Sequence, residues 1–169
     1  MNPLLLDDLF FKICDYLTLK QIVEYELISK QHHKMIRQHT WFHYLEIVRN
    51  DLLLILINRY TLKNLNLFFS DVTDDTVKLL NCHTLNLACT NVTDEGVKHL
   101  QCHDLILFRT KVTDEGVKHL KCHTLNLGGT NVTDEGVKHM KCHTLYLFNT
   151  KASRETIQSL KSNGVNVIG

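Results

Sequence analysis

The chain has 169 residues, 44% hydrophobic and 22% charged, a globular make-up rather than a disordered one. Lys and Arg total 19 against 18 Asp and Glu, a net charge of +1, which gives no reason to expect nucleic acid or an anionic membrane as partner. The longest uninterrupted apolar run, Leu52 to Ile57, has six residues, whereas a membrane-spanning helix needs about 20. The opening Met-Asn-Pro-Leu-Leu-Leu-Asp-Asp has no basic region and turns acidic after three leucines, so it does not read as a secretory signal. Proline occurs once, at Pro3, which leaves no proline-rich linker. Of the 6 cysteines, Cys82, Cys102, Cys122 and Cys142 stand 20 residues apart. Reduced thiols in a cytoplasmic or nuclear protein are expected, not a disulfide scaffold.

The first predicted element is a helix. Leu9, Phe10, Ile13, Tyr16 and Leu17 fall at helical spacing behind Asp7-Asp8, an N-cap and a first-turn acid. Thr18 and Gln21 then form a capping box, and Ile22, Tyr25 and Ile28 give a second helical stripe. A third helical stretch runs from Lys30 to Gln38 and leads to Thr40-Trp41. The order Leu5-Leu6-Asp7-Asp8-Leu9, Ile13, Tyr16-Leu17, Gln21-Ile22, Leu27-Ile28-Ser29-Lys30 and Trp41 resembles an F-box over about Pro3 to Leu45. That family reads roughly L-P-x-E-L-x-x-x-I-x-x-Y-L, then D-L, then V-S-K-x-W. Leu6 stands where the family has Pro, and His32 where it has Trp. The resemblance implies a three-helix F-box over residues 1–48 that docks on the Skp-type adaptor of a cullin–RING ubiquitin ligase. Leu5, Leu9, Ile13, Leu17 and Ile22 match positions where the family meets the adaptor or its own core.

Residues 49–61 connect this block to the C-terminal two-thirds of the chain. The Leu52–Ile57 run is read as a buried cap over the open edge of the next element.

From Leu62 a 20-residue period takes over. Val-Thr-Asp-Asp-Thr-Val-Lys-Leu-Leu starts at Val72, and Val-Thr-Asp-Glu-Gly-Val-Lys-His comes again at Val92, Val112 and Val132. A decayed copy starts at Ala152. Such repetition means a stacked array whose units bury apolar edges against their neighbours. Within each unit Leu125 and Leu127 are two apart and point to one face of a short strand. Thr133-Asp134-Glu135 signals a helix start, and Val137 and Met140 can share one side of a helix of one or two turns. The frame Cys122-x-x-Leu125-x-Leu127-x-x-Thr130-x-Val132 resembles the leucine-rich repeat, with units near 62, 82, 102, 122 and 142 and a partial unit from 162. The Val-Thr-Asp-Glu-Gly phrase looks most like the cysteine-containing class found behind F-boxes. The expected fold is α/β: a small helical F-box joined to a short leucine-rich-repeat solenoid with a parallel strand ladder over 62–169.

His99-x-x-Cys102-His103 and its copies suggest zinc, which takes four tetrahedral ligands. Cys and His are adjacent at the start of a strand, however, and point to opposite sides. The cysteines are therefore read as core residues, the histidines as solvated or packed between coils, and no metal or cofactor is expected. The Thr-Asp-Glu-Gly turns are read as solvated corners, since their spacing is not that of a calcium loop. Repeated residues form ladders rather than one convergent site, so no catalysis is expected.

The positions that differ between units carry the specificity. Asn66, Asn86, Ile106, Asn126 and Tyr146 stand between the core leucines. Beyond the second leucine stand Phe68, Ala88, Phe108, Gly128 and Phe148, then Phe69, Cys89, Arg109, Gly129 and Asn149. In the family this strand face is the exposed inner surface. Phe68, Ile106, Phe108, Arg109, Tyr146 and Phe148 are the candidate substrate-binding residues. The competing reading is that large and small side chains alternate only to pack on each other.

By resemblance, the chain is a substrate receptor: the F-box holds the adaptor and the repeats hold a protein target. A repeat scaffold or competitor without ubiquitin transfer is the second reading. A Cys-dependent enzyme using Cys89 is the third.

Overall fold

The computed structural model describes residues 40–46, 50–58 and 61–169. The helices expected over residues 1–39, with Leu5, Leu9, Ile13, Leu17 and Ile22, lie outside the described residues. The described chain alternates strands and helices: β1 (Thr40–Glu46), α1 (Asn50–Ile57), β2 (Thr61–Asn66), α2 (Asp74–Val77), β3 (Thr84–Asn86), α3 (Asp94–Val97) and β4 (Asp104–Ile106). It continues with α4 (Asp114–Val117), β5 (Thr124–Asn126), α5 (Asp134–Val137), β6 (Thr144–Tyr146), α6 (Arg154–Ser162) and β7 (Asn166–Ile168). The strands form one sheet of 7 in chain order, each parallel to the next. This is the parallel ladder of a solenoid.

Register follows the period. Leu65, Leu85, Leu105, Leu125, Leu145 and Val167 are successive cross-strand partners. A slip of one residue would turn this row outward, so burial fixes the pairing. Leu65/Leu67 and their equivalents through Leu145/Leu147 are at most 3% exposed. The opposite side of the core is closed by Val72, Val92, Val112 and Val132, and by Val77, Val97, Val117 and Val137. The expectation of core cysteines agrees with the structure: Cys82, Cys102, Cys122 and Cys142 are all buried.

Helices α2 to α5 have 4 residues each, one turn, begun by Thr73, Thr93, Thr113 and Thr133 as expected. So short a helix is not stable alone; packing of its buried valine holds it. After each of strands β2 to β6 the chain turns through a residue with positive φ: Phe69 (55°), Cys89 (57°), Arg109 (54°), Gly129 (69°) or Asn149 (53°). Thr90, Thr110, Thr130 and Thr150 close that turn, each hydroxyl donating to the carbonyl three residues back.

The N-terminal boundary is corrected. Thr40–Glu46, assigned from sequence to a helical block ending at residue 48, is strand β1 and pairs with β2. Its Thr-Trp-Phe-His-Tyr run is β-branched and aromatic, which suits a strand, and pairing satisfies backbone groups that the edge of β2 would leave open. The stretch read as a cap contains α1, whose Leu53 and Leu56 join the core. The boundary at 48/49 thus falls inside a strand–helix coil. At the other end the decayed copy forms a 9-residue helix, α6, capped by Ser153, which accepts from Thr156 N–H at 3.2 Å. Leu160, Val165 and Val167 cover the last coil. No helix among the described residues is long and apolar enough to cross a membrane.

Candidate interaction surface

The face opposite the leucine row begins with residues that serve the strand itself. Asn66, Asn86 and Asn126 each accept a hydrogen bond from the backbone N–H two residues on, at 3.1, 3.0 and 3.0 Å. The Asn86 side chain also donates to Asn66 Oδ1 at 2.9 Å. These asparagines are turn-forming groups linked into part of a ladder. Ile106 and Tyr146 occupy the same row, half-buried, and offer apolar and phenolic surface in its place.

The next row alternates in size, and both readings of that alternation find support. Phe68 and Phe148 are 46% and 44% exposed, large for phenylalanine. Phe108 is half-buried because its ring lies over Gly128: a Cβ at that glycine would sit 3.0 Å from Phe108 Cδ2. Packing on a small neighbour therefore explains Phe108 in part. The ring also meets Arg109, whose guanidinium carbon lies 5.1 Å from the ring centroid, a cation–π arrangement. Tyr146 and Phe148 form a tilted pair with centroids 6.2 Å apart.

The six candidate residues do not form one cluster. Phe68 stands near one end, with Phe69 6.2 Å away. Ile106, Phe108 and Arg109 belong to β4 and its turn, and Tyr146 and Phe148 to β6 and its turn. The last two groups are two strands apart, about 10 Å at ordinary sheet spacing. Phe69, 73% exposed, and Leu79, 63% exposed, were not among the sequence candidates. Phe69 stands in the same variable row as Arg109, at the same left-handed turn position, and is the more exposed of the two phenylalanines that follow β2. Leu79 stands where the other units carry an exposed histidine, which is a signal the alignment of units does contain.

The Cys–His pairs divide as expected. Burial pushes the Cys82 and Cys122 thiols up to about 12 and Cys102 up to about 11, and raises Cys142. Such thiols are poor nucleophiles and poor metal ligands. Their neighbours His83, His103, His123 and His143 are exposed on the other side. Cys89 is half-buried.

The solvated-corner reading of the Thr-Asp-Glu-Gly turns is corrected. The aspartates are half-buried, and their carboxylates accept hydrogen bonds from the threonine or serine that begins the next helix. Asp134 is held below the usual carboxylate range, first by the Ser153 N–H that it accepts.

The Leucine Rich repeat family model matches residues 83–100 and 123–140, the segments that contain β3–α3 and β5–α5. These segments are leucine-rich repeats, and the coils around them repeat the same strand, turn and helix. The array is thus solenoid-like, with leucine-rich repeats at two of its coils, and repeat arrays of this kind present extended binding surfaces. The chain matches no curated protein.

Proposed function

We propose that the chain is a substrate receptor of an SCF-type ubiquitin ligase. The reading rests on the order and spacing of Leu5, Leu9, Ile13, Leu17 and Ile22, which resemble an F-box, placed ahead of a leucine-rich array. The observation that carries its second half is the uneven exposed face: core leucines barely change between coils, while Phe68, Ile106, Phe108, Arg109, Tyr146 and Phe148 do. Aromatic and arginine side chains of this kind dominate protein interfaces. In this reading the N-terminal block holds a Skp-type adaptor and the array holds a target protein. The chain does no chemistry itself. It raises the effective concentration of target near the ubiquitin-conjugating enzyme. A cytoplasmic or nuclear setting follows from that role.

A second reading, a scaffold or competitor without ubiquitin transfer, is favoured by Leu6 and His32, which depart from the F-box pattern. Affinity purification from cells with mass spectrometry separates the two. Adaptor and cullin should co-purify with the full chain, and the target should be lost with Phe108→Ala/Phe148→Ala while adaptor and cullin remain. Recovery of targets without adaptor or cullin would favour the scaffold.

A further inference from the structure

The exposed histidines ahead of β3 to β6 stack. Ring centroids are 4.6 Å apart for His83–His103, 4.5 Å for His103–His123 and 4.6 Å for His123–His143, with interplanar angles of 13°, 13° and 6°. In-register pairing of a duplicated unit explains the stack. It does not explain Asp104. The other three units with a histidine before the strand carry Thr84, Thr124 and Thr144 at that position, and there the Nδ1 of the preceding histidine lies 3.1–3.4 Å from the threonine hydroxyl. At Asp104 the neutral hydroxyl is replaced by a carboxylate oxygen 3.1 Å from His103 Nδ1.

We propose that His83, His103 and Asp104 form a binding site for a divalent transition-metal ion, with zinc as the reference ion. One ligand atom from each residue lies within 4.8 Å of the other two. A tetrahedral ion with bonds of about 2.0–2.2 Å needs them somewhat closer. The two histidines are exposed and can tilt their rings to converge. Two imidazoles and a carboxylate suit zinc, nickel or copper rather than calcium or magnesium, and water completes the shell. The buried cysteines take no part. The site is independent of whether the N-terminal block docks an adaptor.

The test is zinc titration of the purified, chelator-treated full chain against a competing chromogenic chelator, with X-ray absorption on the loaded protein. One zinc per chain is expected, with nitrogen and oxygen scatterers only. Asp104→Thr restores the residue of the other units, so the fold should persist, yet affinity should fall at least about tenfold. His83→Asn should weaken binding similarly, and His143→Asn should leave it unchanged. Absence of stoichiometric zinc, sulfur scattering, or an affinity that survives Asp104→Thr unchanged would overturn the site.

Discussion

Asp94 ties its own coil to the next through Thr113. Its Oδ1 accepts from the Thr113 N–H at 2.7 Å and its Oδ2 from the Thr113 hydroxyl at 2.6 Å. Asp74 with Thr93 and Asp114 with Thr133 repeat the arrangement. Each aspartate thus begins one helix and satisfies the first residue of the next. The same contact fixes the glycine of the phrase: a Cβ at Gly116 would stand 2.4 Å from Asp94 Oδ1 and 2.9 Å from Asp94 Cα. Asp94→Ala leaves a backbone N–H and a hydroxyl without their charged partner and should cost about 1.5–3 kcal/mol. Gly116→Ala should destabilise by about 1–3 kcal/mol through overpacking. Urea denaturation of both variants measures these losses.

The ladder also predicts an acid response. Asp134 has a lowered folded-state value, so its contribution is present above the ordinary carboxylate range and lost as pH falls through the folded value. Asp134→Asn should be less stable than the parent at pH 7, and the gap should narrow as the solution is acidified below about pH 4. Denaturation midpoints measured across that window check the sign.

The buried thiols work in the other direction. Their raised values mean that the folded chain keeps them neutral while the unfolded chain ionises them, so stability is full below the ordinary thiol range and declines as pH rises towards 12. The unfolding free energy from urea titration should fall between pH 8 and pH 10, by up to about 1.4 kcal/mol per pH unit for each thiol ionised on unfolding, and the midpoint with it. Thiol-reactive reagents at neutral pH should spare Cys82, Cys102, Cys122 and Cys142 in the folded array and favour Cys89. Rapid labelling of all four would contradict their burial.

The left-handed turns give two substitutions of opposite sign. Cys89 has φ 57°, a conformation that suits glycine. Cys89→Gly should stabilise by about 0.5–1 kcal/mol after the added flexibility of the unfolded chain is counted. Gly129 has φ 69°, and its added Cβ would lie 2.9 Å from Arg109 Cγ. Gly129→Ala should destabilise by about 1–2 kcal/mol. Thermal melts of the two variants should move apart.

The period was legible in the sequence because burial imposes it: Leu85 and Leu105 must face one core, and Val92 and Val112 must close it. The exposed row was legible for the complementary reason, that Phe108 and Phe148 interrupt near-identical units. The Asp94–Thr113 ladder was not. Within one unit Thr-Asp reads as an ordinary helix start, and the partner that uses the carboxylate lies 19 residues ahead. The turn strain was hidden because Phe69, Cys89 and Arg109 are not residues that announce positive φ. Strand β1 was obscured by helical spacing before it and by a core pattern that does not keep the array's frame. The histidine stack required knowing that adjacent units pair in register.

Leu107 and Phe108 are neighbours with opposite duties. Leu107 is fully buried, and Leu107→Ala should cost about 2.7–5 kcal/mol. Phe108→Ala with Phe148→Ala should leave the circular dichroism spectrum of the array in place while weakening target capture. Unfolding by the phenylalanine pair, with target affinity per folded molecule unchanged, would invert the assignment of faces.

The receptor role itself is tested most directly by isothermal titration of the purified full chain with a purified Skp-type adaptor. A one-to-one complex is expected, which Leu9→Asp/Ile13→Asp abolishes with circular dichroism unchanged and Phe108→Ala/Phe148→Ala leaves intact. Absence of a complex with the parent chain, or a complex that persists undiminished in Leu9→Asp/Ile13→Asp, would contradict it.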